Sequence, residues 1–81
     1  MKDKKELEEY NHWKQELQFR MSLVEARKKS NLSQKELAEK TGLSQQAISR
    51  IETGYSNTTM DNMFKYLNAT GNTIKVVKDS K

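Results

Sequence analysis

The sequence predicts an all-α fold, a small helix bundle with an extended first helix and one short β-strand at the C-terminal end. The 81 residues contain no proline and only 3 glycines. Each glycine follows a stretch of helical composition, where it can close the last turn in the left-handed conformation. Only the end of the chain, with Ile74, Val76 and Val77, is rich in β-branched residues.

The first predicted helix covers residues 4–30 and carries two apolar stripes. One stripe holds Leu7, Tyr10, Leu17, Met21 and Val24, and the other holds Phe19, Leu23 and Ala26. Their helical spacing places each set on one face. We therefore expect the C-terminal half to pack in the core. Tyr10, Trp13 and Leu17 then either meet a partner protein or fold back on the same domain.

Three short helices are predicted next, over residues 34–41, 45–53 and 60–70. Their start signals are Ser33 with Glu36, Ser44 with Gln45, and Thr58 with Asp61, because hydroxyl side chains cap the free N–H groups of a first turn. Their stop signals, together with that of the first helix, are Asn31, Gly42, Gly54 and Gly71.

A strand is predicted over residues 73–78. Its backbone donors and acceptors need a second strand, and the chain offers no other convincing one. The natural supplier is the same segment of another copy, so we expect a homodimer held by Ile74, Val76 and Val77. The alternative interpretation is a frayed C-terminal tail.

Composition excludes several function classes. The mass of 9.5 kDa fits one small domain, and the net charge of +4 favours an anionic partner. With no cysteine and the single His12, we expect no metal site, no cofactor and no nucleophile–base pair, and therefore no enzyme. Without a signal peptide or a membrane-spanning run, the expected location is the cytoplasm.

The spacing between residues 34 and 51 predicts a helix-turn-helix. Ala38 is small where two helices would cross, and Gly42 would reverse the chain. The inner faces would be buried by Leu37, Leu43, Ile48 and Ile51. We divide the chain into a helical extension (1–18), a helix-turn-helix domain (19–72), and a C-terminal strand and tail (73–81).

The outward face of the third helix predicts contact with double-stranded DNA. Gln45, Gln46, Ser49 and Arg50 form a polar row without an acidic residue. Glutamine can bond an adenine edge and arginine a guanine edge. The alternative is an ordinary solvated face. Phosphate contacts are expected, beside plain capping or loop roles, from Ser33, Gln34, Ser44, Tyr55, Asn57 and Thr58.

The segment LSQKELAEKTGLSQQAISRIETG, residues 32–54, resembles the Cro/C1-type (XRE) helix-turn-helix family. The resemblance implies a lambda-repressor-like DNA-binding bundle that reads an inverted-repeat operator as a dimer. It places Gln34, Gln45, Gln46 and Arg50 on the operator, with Ser44 and Ser49 facing it. It also implies a structural salt bridge between Arg27 and Glu52.

Two further segments resemble type II antitoxins of the HigA and HipB kinds. They are NTTMDNMFKYL at residues 57–67, followed by 73–77, and the extension with Trp13, Glu16, Leu17 and Arg20. This resemblance implies an autoregulating repressor that neutralises a RelE/HigB-like or HipA-like toxin. Tyr10, Trp13 and Leu17 would form the partner surface, since aromatic residues often anchor interfaces. The alternative is a phage-type or bacterial repressor that acts without a toxin.

Overall fold

The computed structural model describes residues 3–54 and 58–78, and the elements in these ranges are all helical. They are α1 (Lys4–Lys29), α2 (Gln34–Thr41), α3 (Gln45–Thr53) and α4 (Met60–Ala69). The predicted helix bundle is confirmed, and each helix begins and ends within one residue of its predicted bounds. The described helices also lack the combined length and hydrophobicity that crossing a bilayer requires.

Each helix begins at a side chain that accepts a hydrogen bond from the first turn. The predicted capping box of α2 is confirmed: Ser33 Oγ accepts from the Glu36 N–H, and Glu36 Oε1 accepts from the Ser33 N–H, both at 3.0 Å. Ser44 Oγ caps α3 through the Ala47 N–H at 3.0 Å. The predicted cap of α4 was wrong by one residue, since Thr59 and not Thr58 accepts from the first turn.

The chain reverses between α2 and α3 at Gly42. This residue has φ +77°, and its N–H donates to the Ala38 carbonyl at 2.9 Å, which ends α2. A side chain is strained at that φ, so glycine allows the chain to reverse with only Leu43 and Ser44 between it and the start of α3. Asn31, the predicted end signal after α1, is also left-handed, at φ 58°.

The core lies where the four described helices meet. It is formed by Leu23, Leu37, Ala38, Ile48, Ile51, Tyr66 and Leu67, with Leu32, Leu43, Met63 and Ala69 packed around them. Leu37 and Ile48 are completely buried, and Ala38 lies close beside them. These contacts fix α2 against α3, because apolar side chains on the two inner faces exclude water from the crossing.

The first helix extends well beyond the core. It runs without a break from Lys4 to Lys29, yet among its residues only Leu23 is fully buried. The N-terminal half therefore continues the helix without adding a buried residue to the described core. Because α1 passes through residue 18 uninterrupted, the division into 1–18, 19–72 and 73–81 stays a prediction.

The predicted C-terminal strand is absent from the described chain. Residues 73–78 carry no strand pairing, so the strand at Ile74, Val76 and Val77 was wrong for the single chain. The physical reason is that no other segment in residues 3–54 and 58–78 forms a strand that could receive its hydrogen bonds. Val76 and Val77 are left exposed, by 101% and 80%.

Candidate nucleic-acid interface

The outward face of α3 is polar and carries no negative charge. Gln45, Gln46 and Arg50 are exposed and Ser49 is partly exposed. The single acidic residue of this helix, Glu52, is only 8% exposed and lies on the inner side. The exposed face therefore offers amide, hydroxyl and guanidinium donors without carboxylate repulsion, which suits the edges of bases in a major groove.

The opposite side of α3 is held by two hydrogen bonds from Arg27 to Glu52. Arg27 of α1 donates from Nε to Glu52 Oε2 at 2.6 Å and from Nη2 to Glu52 Oε1 at 3.2 Å. Its Nη1 donates to the Leu32 carbonyl at 2.9 Å. Such a bidentate guanidinium–carboxylate pair sets both the distance and the relative orientation of α1 and α3. Arg27 thus ties α3 to α1.

Glu52 also accepts hydrogen bonds from two further helices. The Tyr66 hydroxyl of α4 donates to Oε2 at 2.5 Å, and the Gln34 amide of α2 donates to Oε1 at 2.9 Å. We call Arg27, Glu52, Tyr66 and Gln34 the Glu52 cluster. Because it contains one residue from each helix, the Glu52 cluster joins α3 to the whole bundle.

The Glu52 cluster shifts the protonation of its members. Burial on its own would raise the pKa of Glu52, but the hydrogen bonds from its three partners outweigh this effect and hold that pKa below its usual value. Burial, and then the bond to the Glu52 carboxylate, raises the pKa of Tyr66. The bond to Glu52 likewise raises the pKa of Arg27. The carboxylate and guanidinium are therefore both charged at neutral pH.

The sequence-predicted phosphate contacts have different surroundings. Ser33 and Ser44 are exposed at the starts of α2 and α3 and act as caps. The Gln34 amide donates one N–H to Glu52, which leaves its second N–H, and the backbone N–H of the first helical turn, to meet a phosphate. Thr58 is partly exposed. Tyr55 and Asn57 lie outside the described residues.

The predicted partner surface lies on the N-terminal half of α1. Tyr10, Trp13 and Leu17 are exposed by 44%, 58% and 43%, so each leaves a large part of its side chain accessible to a partner. The Tyr10 and Trp13 rings are tilted against each other with centroids 6.1 Å apart. The two rings form a continuous aromatic patch. We call Tyr10, Trp13 and Leu17 together the Trp13 patch.

Sequence reasoning missed two residues that hold α3. Tyr66 contributes the hydroxyl in the Glu52 cluster, and nothing in the local pattern of α4 distinguishes it from an ordinary core aromatic. Arg20 donates from Nη1 to the Ile51 carbonyl near the end of α3. Its signal was available, since Arg20 lies seven residues before Arg27 and hence on the same helical face.

A model of the helix-turn-helix family HTH_3 matches residues 23–77, which include α2, the Gly42 turn, α3 and α4. No curated protein and no solved structure matched. Within residues 3–54 and 58–78, no group of three or more histidine, aspartate or glutamate side chains is arranged to hold a metal ion.

Proposed function

Because the chain belongs to the helix-turn-helix family HTH_3 and is a DNA-binding transcription regulator, we propose that it represses transcription by placing α3 in the major groove of an operator. Gln45, Gln46, Ser49 and Arg50 read base edges. The observation that carries this proposal is their exposed, acid-free row on a helix whose other side is fixed by the Glu52 cluster.

Phosphate contacts orient α3 on the duplex. Ser33 and Ser44 lie at the N-terminal ends of α2 and α3, where first-turn N–H groups and the helix dipole favour an anion. A serine hydroxyl that accepts a capping bond can still donate its own proton to a phosphate oxygen. Tyr55, Asn57 and Thr58, which follow α3 in the sequence, are proposed to contact the DNA backbone on the far side of the groove.

Base reading by α3 predicts a sequence-dependent loss of affinity. With a duplex selected by the wild-type protein from a random pool, Gln45→Ala and Arg50→Ala should each weaken binding by about 1–3 kcal/mol. A scrambled duplex should lose much less with Gln45→Ala, because that contact reads a base and carries no charge. The measurement is a fluorescence-anisotropy titration at one salt concentration.

Two variants control this experiment. Gln15→Ala makes the same truncation at an exposed position of α1 and should leave both affinities unchanged. Ser33→Ala should weaken selected and scrambled duplexes alike, since phosphates carry no sequence information. Equal losses on the two duplexes with Gln45→Ala would remove its base-reading role.

We further propose that the repressor is a homodimer that pairs residues 74–77 of two copies. Val76 is fully exposed and Val77 nearly so, beside the partly exposed Ile74. A β-branched segment that pairs with no strand of its own chain can still pair with an identical segment of a second copy. A two-fold dimer would present two copies of α3 to an inverted repeat.

Finally, we propose that the chain is the antitoxin of a toxin–antitoxin pair. The supporting observation is the Trp13 patch, which lies on a stretch of α1 that the described core does not need. Tyrosine and tryptophan supply large contact areas at modest entropy cost, so they anchor protein interfaces. A toxin of the RelE/HigB-like or HipA-like kind would bind there, and the DNA-binding face of α3 would stay free.

One purification tests the dimer and the toxin together. A tagged copy is co-expressed with the protein of the adjacent reading frame, and the native mass of the purified complex is measured. The expected mass contains two copies of this chain and the bound neighbour. Trp13→Ala should weaken the neighbour's binding by about tenfold or more while the two-copy mass persists.

The matched control is Phe19→Ala, an aromatic side chain on the other stripe of α1 that is 40% exposed. The Phe19→Ala variant should bind the neighbouring protein as tightly as the wild type does. A two-copy species that never retains a neighbour but binds its upstream DNA would support the alternative, a repressor without a toxin. A monomeric mass would contradict pairing through residues 74–77.

A further inference from the structure

The end of α3 is held by Arg20, a residue of α1 that lies outside the segment matched to the family. Arg20 Nη1 donates to the Ile51 carbonyl, and Nη2 donates to Glu16 Oε1 at 3.2 Å. The side chain is only 15% exposed, whereas Glu16 is 48% exposed. A cation at the C-terminal end of a helix satisfies a free carbonyl and complements the helix dipole.

The same guanidinium packs against the turn that ends α3. Gly54 has φ +75°, and its N–H donates to the Arg50 carbonyl at 2.9 Å. A methyl group on Gly54 would lie 2.6 Å from Arg20 Nε. A methyl group on Gly54 would therefore press on the guanidinium end of Arg20, which lies against the last turn of α3.

Arg20 also borders the Trp13 patch. Trp13, Glu16, Leu17, Arg20, Thr53 and Gly54 line one shallow depression of about 170 Å³. Four of these residues come from α1, and the other two, Thr53 and Gly54, come from the end of α3 and the residue that follows it. The depression thus places the surface proposed for a partner directly beside the end of the DNA-reading helix.

From this geometry we propose that Arg20 is a positioning residue, which holds the last turn of α3 and links it through Glu16 to the Trp13 patch. The hold of Arg20 on α3 follows from its contacts alone. The link to regulation rests on the proposed function: a partner on the Trp13 patch would disturb Glu16 and Arg20, and through them the affinity of α3 for DNA. Coupling of this kind acts equally in both directions.

Amide hydrogen exchange of the DNA-free protein tests the positioning role, and the chain supplies an internal control. The Gly54 N–H and the Gly42 N–H both close the last turn of a helix at 2.9 Å, on Arg50 and Ala38. Arg20→Met should accelerate exchange at Gly54 by about tenfold, as expected for the loss of a charged hydrogen bond. Exchange at Gly42 should keep its wild-type rate.

A second pair of variants tests the link to the Trp13 patch. Glu16–Arg20 and Glu25–Lys29 are both ion pairs one helical turn apart on α1, at 3.2 and 3.0 Å. Glu16→Ala should accelerate exchange at Gly54, because it releases Arg20. Glu25→Ala should leave Gly54 unchanged, because its partner does not reach α3. Equal exchange rates at Gly54 in these two variants would overturn the link.

DNA binding gives the functional readout. With the selected duplex, Arg20→Met should lose about tenfold more affinity than Lys29→Met, a variant that removes one positive charge elsewhere on α1. Equal losses of affinity in the two variants would mean that Arg20 contributes to DNA binding only through its positive charge. If the wild-type protein preferred no sequence, the proposed function would fail, yet Gly54 exchange would still decide whether Arg20 holds α3. Parallel acceleration at Gly54 and Gly42 would overturn the positioning role.

Discussion

Replacing Glu52 with leucine should lower the free energy of unfolding by about 3–5 kcal/mol, the range for breaking a buried ion pair by removing one partner. Arg27, whose side chain is only 11% exposed, would keep its charge without its carboxylate. The Tyr66 hydroxyl and the Gln34 amide would lose an acceptor at the same time. Urea denaturation followed by circular dichroism measures the effect.

Two comparisons make this prediction specific. Glu25→Ala removes an exposed ion pair and should change stability by less than about 1 kcal/mol. The double variant Arg27→Met/Glu52→Leu should cost less than the sum of its single variants, because the second change removes the stranded charge. Strict additivity would mean that Arg27 and Glu52 do not act as a pair.

The Glu52 cluster also predicts a pH window of stability. Glu52 has a pKa below its ordinary value of 4.5, so its contribution is complete above that value and is lost as the pH falls through the lower pKa of the folded protein. Tyr66 has a pKa above its ordinary value of 10.0. Its contribution is complete below that pH and is lost only in stronger base. Glu52→Leu should flatten the acid side of the profile.

Leu37→Ala should cost about 2–5 kcal/mol, the range for cavities left by leucine truncation in a core. Leu37 is completely buried among the α2, α3 and α4 contacts. Leu17→Ala is the matched control, because Leu17 is 43% exposed on α1 and its truncation leaves no enclosed cavity. Chemical denaturation of both variants checks the difference. Similar losses in the two would contradict a core centred on the α2–α3 crossing.

The helices were predictable because their signals are local. Each signal depends on a few neighbouring residues. The signals are the capping box at Ser33, the left-handed Gly42 and the helical spacing of apolar residues such as Leu37, Ile48 and Ile51. The exposed row on α3 followed from the same period. Local signals therefore carried most of the fold and the proposed base-reading face.

The remaining features depend on contacts between distant residues. Tyr66 reaches Glu52 from another helix, and the Gln34 side chain turns inward to the same carboxylate although its helix position favours DNA. Neither contact can be recognised from the sequence pattern of the helix that contains the donor. The C-terminal strand shows the opposite case: its composition is β-like, but a single chain provides no described strand to pair with it.

Selection of preferred duplexes from a random pool by the wild-type protein shows whether α3 reads DNA sequence. We expect enrichment of an inverted repeat whose half-sites lie about 10 base pairs apart, or a multiple of that, centre to centre. The same selection with Gln45→Ala should relax the base preference at one position in each half-site. A pool in which no sequence is enriched would contradict the claim.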